Sequence, residues 1–271
     1  MTGDYEKFLE QSGFARNTVN TYVETARLFL ARYGEVSEKS LCDYKVFLME
    51  HYKPKTVNLR LHAINKYLDF LHKGREGAFN KIKGVKDPQR AFLENVISDS
   101  DYRYLKRRLK DDGLDMWYFV VWFMGATGAR ISELLKMKAE HVRAGYVDLY
   151  TKGGKVRRIY FPDALKEEAE QWLQKEGIDS GFLFRNRYGK VITPRGVAFR
   201  LREFADRYGI DPKVVHPHAF RHRFAKNFLE KCNDISFLAD LLGHESIETT
   251  RIYLRRTSTE QRDVVDRIVT W

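Results

Sequence analysis

The chain has 271 residues, 43% of them hydrophobic and 31% charged. That composition supports one large domain or two smaller ones with buried cores, and it excludes a disordered chain. No apolar run approaches the ~20 residues that span a membrane, and the N-terminal MTGDYEKFLEQSG lacks the basic, apolar and small-residue order of a leader, so a cytoplasmic protein with no membrane partner is expected. The net charge of +11 is divided evenly, with +5 over residues 1–90 and +6 over 91–271. Both halves being basic favours a polyanion gripped by the whole body of the protein, and nucleic acid is the usual candidate. Cys42 and Cys232 match no metal or redox spacing and are expected as two buried thiols.

The first part reads as all helix. RNTVNTYVETARLFLARYG places Val19, Tyr22, Val23, Ala26, Phe29, Leu30 and Tyr33 on one face, closed by Gly34. SEKSLCDYKVFLMEHY gives a second such helix. KPKTVNLRLHAINKYLDFLHKG gives a third, with Val57, Leu61, Ile64, Leu68 and Leu71 on its stripe. Its other face carries Lys55, Arg60, Lys66 and Lys73, a solvated face on the plain reading and a phosphate-contacting one on the rival. Periodicity then stops, and GREGAFNKIKGVKDPQRAF reads as a basic linker. Helices resume near SDSDYRYLKRRLK and DMWYFVVWFMGATG, the latter apolar nearly all round and so buried. GYVDLYTKGGKVRRIYF changes to alternation, a β-hairpin turning at Gly153–Gly154, and GFLFRN is a further candidate strand. From Thr193 onward the chain is helical again. The fold class is mainly α with a small antiparallel sheet.

Four places in the second part carry chemistry. In ATGARISELLKM, Arg130 sits where a loop enters a helix. In TKGGK, Lys152 and Lys155 flank the hairpin glycines. In VHPHAFRHRFAKNFL, Pro217 suits a first helical turn, and His218 and Arg221, three apart, share a face. The positive end of that helix suits a phosphate and disfavours imidazolium, while His222 and Arg223 are expected to point elsewhere. In LLGHESIETTRIYL, Gly243 ends one helix, His244 lies in the turn, Ser246 caps the next, and Tyr253 falls about two turns along it. Alone, Tyr253 reads as a core tyrosine. His216, His218, His222 and His244 come without HExxH, paired cysteines or a carboxylate at ligand spacing, so no metal is expected. With no phosphate-binding P-loop either, no cofactor is expected.

Two arginines, a lysine, two histidines and a tyrosine suffice for metal-free phosphodiester cleavage. Arginine forks meet the charge that grows on the non-bridging oxygens. A tyrosine hydroxyl, with a pKa near ~10, needs a base or an electropositive site to attack. A lysine can protonate the departing oxygen, and the covalent product stores the bond energy for rejoining.

ATGAR with Arg130, TKGGK, HAFR with His218 and Arg221, LLGH with His244 and RIYL with Tyr253 stand in the order and spacing of the tyrosine recombinases, the phage-type integrases. The sequence resembles most their small Xer-like and mobile-element members. The motifs cover residues 125 to 254, and the helical N-terminal part extends the likeness over nearly the whole chain. The resemblance implies a two-domain DNA clamp: a helical core-binding domain at 1–80, a linker at 81–92, a catalytic domain at 93–257 and an exchange helix at 258–271.

It also implies roles. Arg130 and Arg221 hold the scissile phosphate. Lys152 is the general acid, with Lys155 the second choice. His218 accepts a proton, His244 donates to the phosphate, and Tyr253 forms a 3′-phosphotyrosyl link. The partners implied are double-stranded DNA, other copies in a homotetramer joined by the C-terminal helix, and room for an accessory DNA-bending or directionality protein at the nucleoid. The stripe Val264, Val265, Ile268 and Trp271, behind a Ser258–Gln261 capping box, suits that tail or a helix folded on its own domain. Ala129 and YLRRTS depart from the commonest pattern, and no separate arm-binding domain precedes the first helix. Two rivals remain: a nicking-closing enzyme of the type IB topoisomerase class, and a non-catalytic DNA-binding protein on the same scaffold.

Overall fold

The structure is a computed structural model describing residues 2–72, 79–87, 95–150, 156–244, 246–254, 258–269 and 271. Lys73, the Gly153–Gly154 turn, Lys152 and Lys155 lie outside the described residues, as does the side chain of Ser258 in the capping box. The chain divides into two compact units, 1–90 and 91–271.

Among its described residues the first unit holds four helices, α1 (Thr2–Gln11), α2 (Arg16–Tyr33), α3 (Glu38–His51) and α4 (Pro54–Leu71). Each boundary has a local cause. Gly34 ends α2 at φ 76°, Ser37 and Ser40 form a reciprocal capping box at the start of α3, and Pro54 opens α4 where no helical N–H is lost. The stripes read from the sequence close on one another: Phe29, Leu41, Tyr44, Leu48, Val57, Leu61, Ile64 and Leu68 form one cluster. Tyr5, Leu9, Val19, Ala26 and Tyr67 form a second, which α1 completes. Each such large side chain contributes roughly 1.5–3 kcal/mol by leaving water.

Residues 79–87 are held along this unit. The Asn58 amide pairs with both backbone groups of Val85, at 2.9 and 2.8 Å. The Asn65 amide does the same for Ile82, at 3.0 and 2.9 Å. Phe79, Ile82 and Val85 pack on the first cluster. Two asparagines thus serve as partners for an extended segment that has no neighbouring strand among the described residues, as backbone groups taken out of water require.

The second unit contains α5 (Asp99–Asp111), α6 (Asp115–Thr127), α7 (Ile131–Leu134), α8 (Ala139–Ala144), β1 (Tyr146–Tyr150), β2 (Val156–Tyr160), α9 (Asp163–Lys175), α10 (Pro194–Tyr208), α11 (Pro217–Lys231), α12 (Ile235–Leu242), α13 (Ile247–Arg251) and α14 (Ser258–Ile268). α6 is buried nearly all round, as its composition requires. β1 and β2 pair antiparallel with Tyr146 opposite Tyr160 and Tyr150 opposite Val156.

Two expectations are corrected. GFLFRN is not a strand: Lys138 with Phe182 and Arg185 with Val191 make isolated bridges only, because Gly181, at φ 84°, and the turn closed by Gly189 N–H donating to the Asn186 carbonyl leave too little extended chain between them. Cys42 and Cys232 are exposed, not buried, since Cys42 falls on the outer face of α3 and Cys232 caps the end of α11.

Among the described residues no helix is long and apolar enough to cross a membrane. The apolar stripe of α14 and its tail is open to solvent, with Val265, Ile268 and Trp271 at 54%, 58% and 92% exposure.

Candidate active site

Three arginines from three elements converge on one helix end. Gly128 closes α6 at φ 61°, a conformation that side chains disfavour, and a Cβ there would meet the Phe224 ring at 2.5 Å. That turn sets Arg130 at the start of α7. Its backbone N–H donates to Glu133 Oε2 at 2.7 Å, Nη1 to Glu133 Oε1 at 2.9 Å, and Nη2 to the Gly243 carbonyl at 3.2 Å. Arg221, on the buried side of α11, donates to the Gly128 carbonyl at 2.7 Å and to the Leu242 carbonyl at 2.8 Å. Arg157, on β2, donates to the Leu241 carbonyl at 2.8 Å and to Glu133 Oε2 at 2.5 Å. The last carbonyls of α12 have no helical partners and carry the negative end of its dipole. Residues 241, 242 and 243 each give theirs to a different arginine.

The charge balance is lopsided. Burial would raise the Glu133 carboxyl, but Arg157 and Arg130 outweigh it and hold it below the usual carboxylate range. Burial, then the neighbouring Arg130, push Arg221 down to about 10, although a guanidinium remains charged at neutral pH. Such a cluster is short of negative charge, and an anion with planar oxygens relieves it.

The turn after Gly243 carries His244. Arg221 Nη2 donates to its Nε2 at 2.8 Å, so Nε2 accepts. The ring proton then sits on Nδ1, which donates to Thr250 Oγ1 at 2.7 Å. Burial, then Arg221 and Arg130, lower His244 to about 4, and it is neutral at pH 7. Its ring lies nearly parallel to that of Tyr253, with centroids 6.1 Å apart and planes at 13°.

Tyr253 is 6% exposed and packs with Ala225, Leu229, Leu238 and Leu242, so the core reading of this residue holds. Ser246 caps α13 as expected. However, α13 ends at Arg251 and Tyr253 sits in a short 3-10 turn, Ile252–Leu254, rather than two turns along an α-helix.

His218 is exposed at the surface of α11, yet partial desolvation, then Arg221 and Arg130, lower it. His222, expected to point elsewhere, faces Tyr253 edge-on, with ring centroids 5.2 Å apart. It follows His218 by four residues, one helical turn, which puts both on one face. Burial, then His218 and His216, lower it to about 4, and its Nδ1 is buried with no hydrogen-bond partner.

The structure therefore brings Arg130, Arg221, His244 and Tyr253 together, with His218 beside them. It adds Arg157, Glu133, Thr250 and His222. The alternation of VRRIY, which puts Arg157 on the inward face with Ile159, was a readable signal for the first. The three-residue step from Arg130 signalled Glu133. On α4, Lys55 is exposed, Arg60 lies over the Tyr52 ring at 4.1 Å, and Lys66 pairs with Asp69 at 3.0 Å. No group of His, Cys, Asp or Glu among the described residues could hold a metal ion.

Buried arginines short of negative charge beside a tyrosine make an arrangement able to hold an anion next to a nucleophile. The pattern of the phage integrase family matches residues 100–260. The chain is 31% identical to tyrosine recombinase XerC of Salmonella typhi, over 92% of this chain and 90% of that protein. It is 29% identical to tyrosine recombinase XerA of Pyrococcus furiosus, over 97% of this chain and 92% of that one. The crystal structure of the XerH site-specific recombinase bound to palindromic difH substrate shares the fold, with a TM-score of 0.75 at 17% identity, covering 98% of this chain and 84% of that one. The chain belongs to the phage integrase family of tyrosine recombinases. Its activity is the breakage and rejoining of DNA strands in site-specific recombination.

Proposed function

We propose that Tyr253 is the nucleophile of that reaction and that Arg130 and Arg221 hold the scissile phosphate. The observation that carries the reading is the convergence of both arginines on the turn that delivers His244 against the Tyr253 ring. In the forward step the Tyr253 oxygen bonds to phosphorus and the bond from phosphorus to the 5′ oxygen breaks. The phenolic proton passes to His218, which partial desolvation and two arginines keep unprotonated and able to accept it. The 5′ oxygen takes a proton from Lys152, with Lys155 the alternative. A phosphate oxygen entering the cluster takes over the Arg221 hydrogen bond now given to His244, and His244 turns a proton to Nε2 and donates to the phosphate. Attack by a partner strand's 5′ hydroxyl reverses the step and needs no nucleotide.

Around this chemistry we place a two-domain clamp on double-stranded DNA, with 1–80 the core-binding part, 81–92 the linker and 93–257 the catalytic part. Lys55, Arg60, Lys66 and Lys73 are candidate backbone contacts, and the chain works in the cytoplasm at the nucleoid, with room for an accessory DNA-bending protein. The uncovered stripe of α14 supports docking of the tail on a neighbouring copy in a tetramer. Deleting residues 258–271 should impair recombination and leave DNA binding largely intact; retained recombination refutes that part.

The nucleophile is tested with a nicked suicide substrate. Wild type traps a covalent protein–DNA complex and Tyr253→Phe traps none; a complex surviving the substitution overturns the assignment.

A further inference from the structure

We propose that Arg157 is a positioning residue that couples the β1–β2 hairpin to the phosphate site. Its guanidinium ties β2 to both Glu133 and the His244 turn, and so sets the strand that follows the hairpin turn relative to the phosphate held by Arg130 and Arg221. The inference rests on the reading of a hairpin lysine as general acid.

The case begins with placement. β2 starts at Val156, one residue after Lys155, and Arg157 is its second residue. Its side chain is 3% exposed, at an inward position that alternation would ordinarily fill with an apolar group. A buried guanidinium is retained against its desolvation only where its donors are used. Here they reach two separate elements: Nε goes to the Leu241 carbonyl at the end of α12, and Nη1 to the Glu133 carboxylate in α7, which itself orients Arg130. An ammonium or an apolar side chain cannot span both.

A second, independent observation comes from the turn. Gly243 lies at φ 62°, and a Cβ there would meet Arg157 Cδ at 2.4 Å, so the backbone leading to His244 is pressed against this side chain. The hairpin, Arg130 and His244 therefore share one rigid connector.

The test uses the full chain and single-turnover cleavage of two suicide substrates, one with oxygen and one with sulfur at the bridging 5′ position. A departing thiolate needs no proton, so sulfur relieves a misplaced or missing general acid. It does not relieve a damaged phosphate cradle. Arg157→Ala should cleave the oxygen substrate about 10²-fold more slowly, the scale expected for a misplacement of about 1 Å, with DNA affinity unchanged in a mobility shift. It should recover most of that loss on sulfur, as the hairpin lysine variants Lys152→Ala or Lys155→Ala do and as Arg130→Ala does not. Arg157→Lys should stay slow on oxygen, and added guanidinium should restore Arg157→Ala in part.

If a lysine variant recovers on sulfur and Arg157→Ala does not, the coupling is wrong. If neither lysine variant recovers, it is the acid assignment that fails. Arg157 is then judged by guanidinium alone: restored cleavage upholds the connector, and no restoration overturns it. If Arg157→Ala does not fold, Arg157→Gln is put through the same comparison.

Discussion

The two units treat charge in opposite ways. In the helical unit, cations pair at the surface with nearby carboxylates, Arg27 with Glu24 and Lys66 with Asp69, both three residues apart, while the buried set is almost wholly apolar. In the second unit, Arg157 and Arg221 are buried at 5% and 3% exposure, and backbone carbonyls supply most of their partners. Surface pairs of the first kind contribute about 0–1 kcal/mol each. Buried cations of the second kind carry a desolvation cost that their hydrogen bonds offset only in part, Arg157 Nη2 being left without a partner.

The contrast is broken hardest at Arg221. Arg221→Ala should lower cleavage by at least about 10²–10³-fold, and it should also destabilise the unit by orphaning the Gly128 and Leu242 carbonyls, about 1–3 kcal/mol each. Single-turnover cleavage and urea midpoints read the two effects separately, and a variant with near-normal cleavage removes Arg221 from the phosphate.

Next comes Gly243→Ala. It forces a Cβ into a left-handed residue and onto Arg157, at a cost of at least about 1–2 kcal/mol. Cleavage should fall with it, because His244 follows directly.

The third effect is one of pH. His222 and His244 are lowered from 6.5 to about 4 in the folded chain. Between those values the unfolded chain takes up protons that the folded chain refuses. Stability is therefore full above about pH 6.5 and declines as pH falls toward 4. Urea midpoints at pH 7 and pH 5 should show the drop, and His222→Gln should reduce it; equal midpoints would contradict both shifts.

The smallest effect belongs to the helical unit. Lys66→Ala should cost less than about 1 kcal/mol, since Lys81 also reaches Asp69. If Lys66 meets a DNA phosphate, the salt dependence of binding should shallow by about one ion.

The same contrast explains what the sequence made legible. Apolar stripes such as Val57, Leu61, Ile64 and Leu68 follow the helical period, and they closed on one another as read. The spacing of ATGAR, HAFR, LLGH and RIYL picked out residues that the fold brings together, because each box carries a local element that presents it. Long-range partnerships were harder. Nothing in the six-residue step from His244 to Thr250 announces that the hydroxyl holds Nδ1, and the edge-on approach of His222 to Tyr253 depends on a 3-10 turn that no period marks. Nothing local marks Asn58 and Asn65 among the polar positions of α4, because the segment they hold lies 27 and 17 residues away.

Besides their contacts to Glu133 and His244, the arginines that meet at the end of α12 each grip a main-chain oxygen. Any residue supplies such an oxygen, so Leu241 and Leu242 can drift to other apolar types of similar volume without removing a contact from the cradle, whereas Gly243 has no such freedom. A saturating mutational scan across the turn should show tolerance at two positions and a sharp wall at the third. The site's robustness to mutation is thus written into the peptide backbone, and its fragility is concentrated in a single hydrogen atom where every other amino acid carries a carbon.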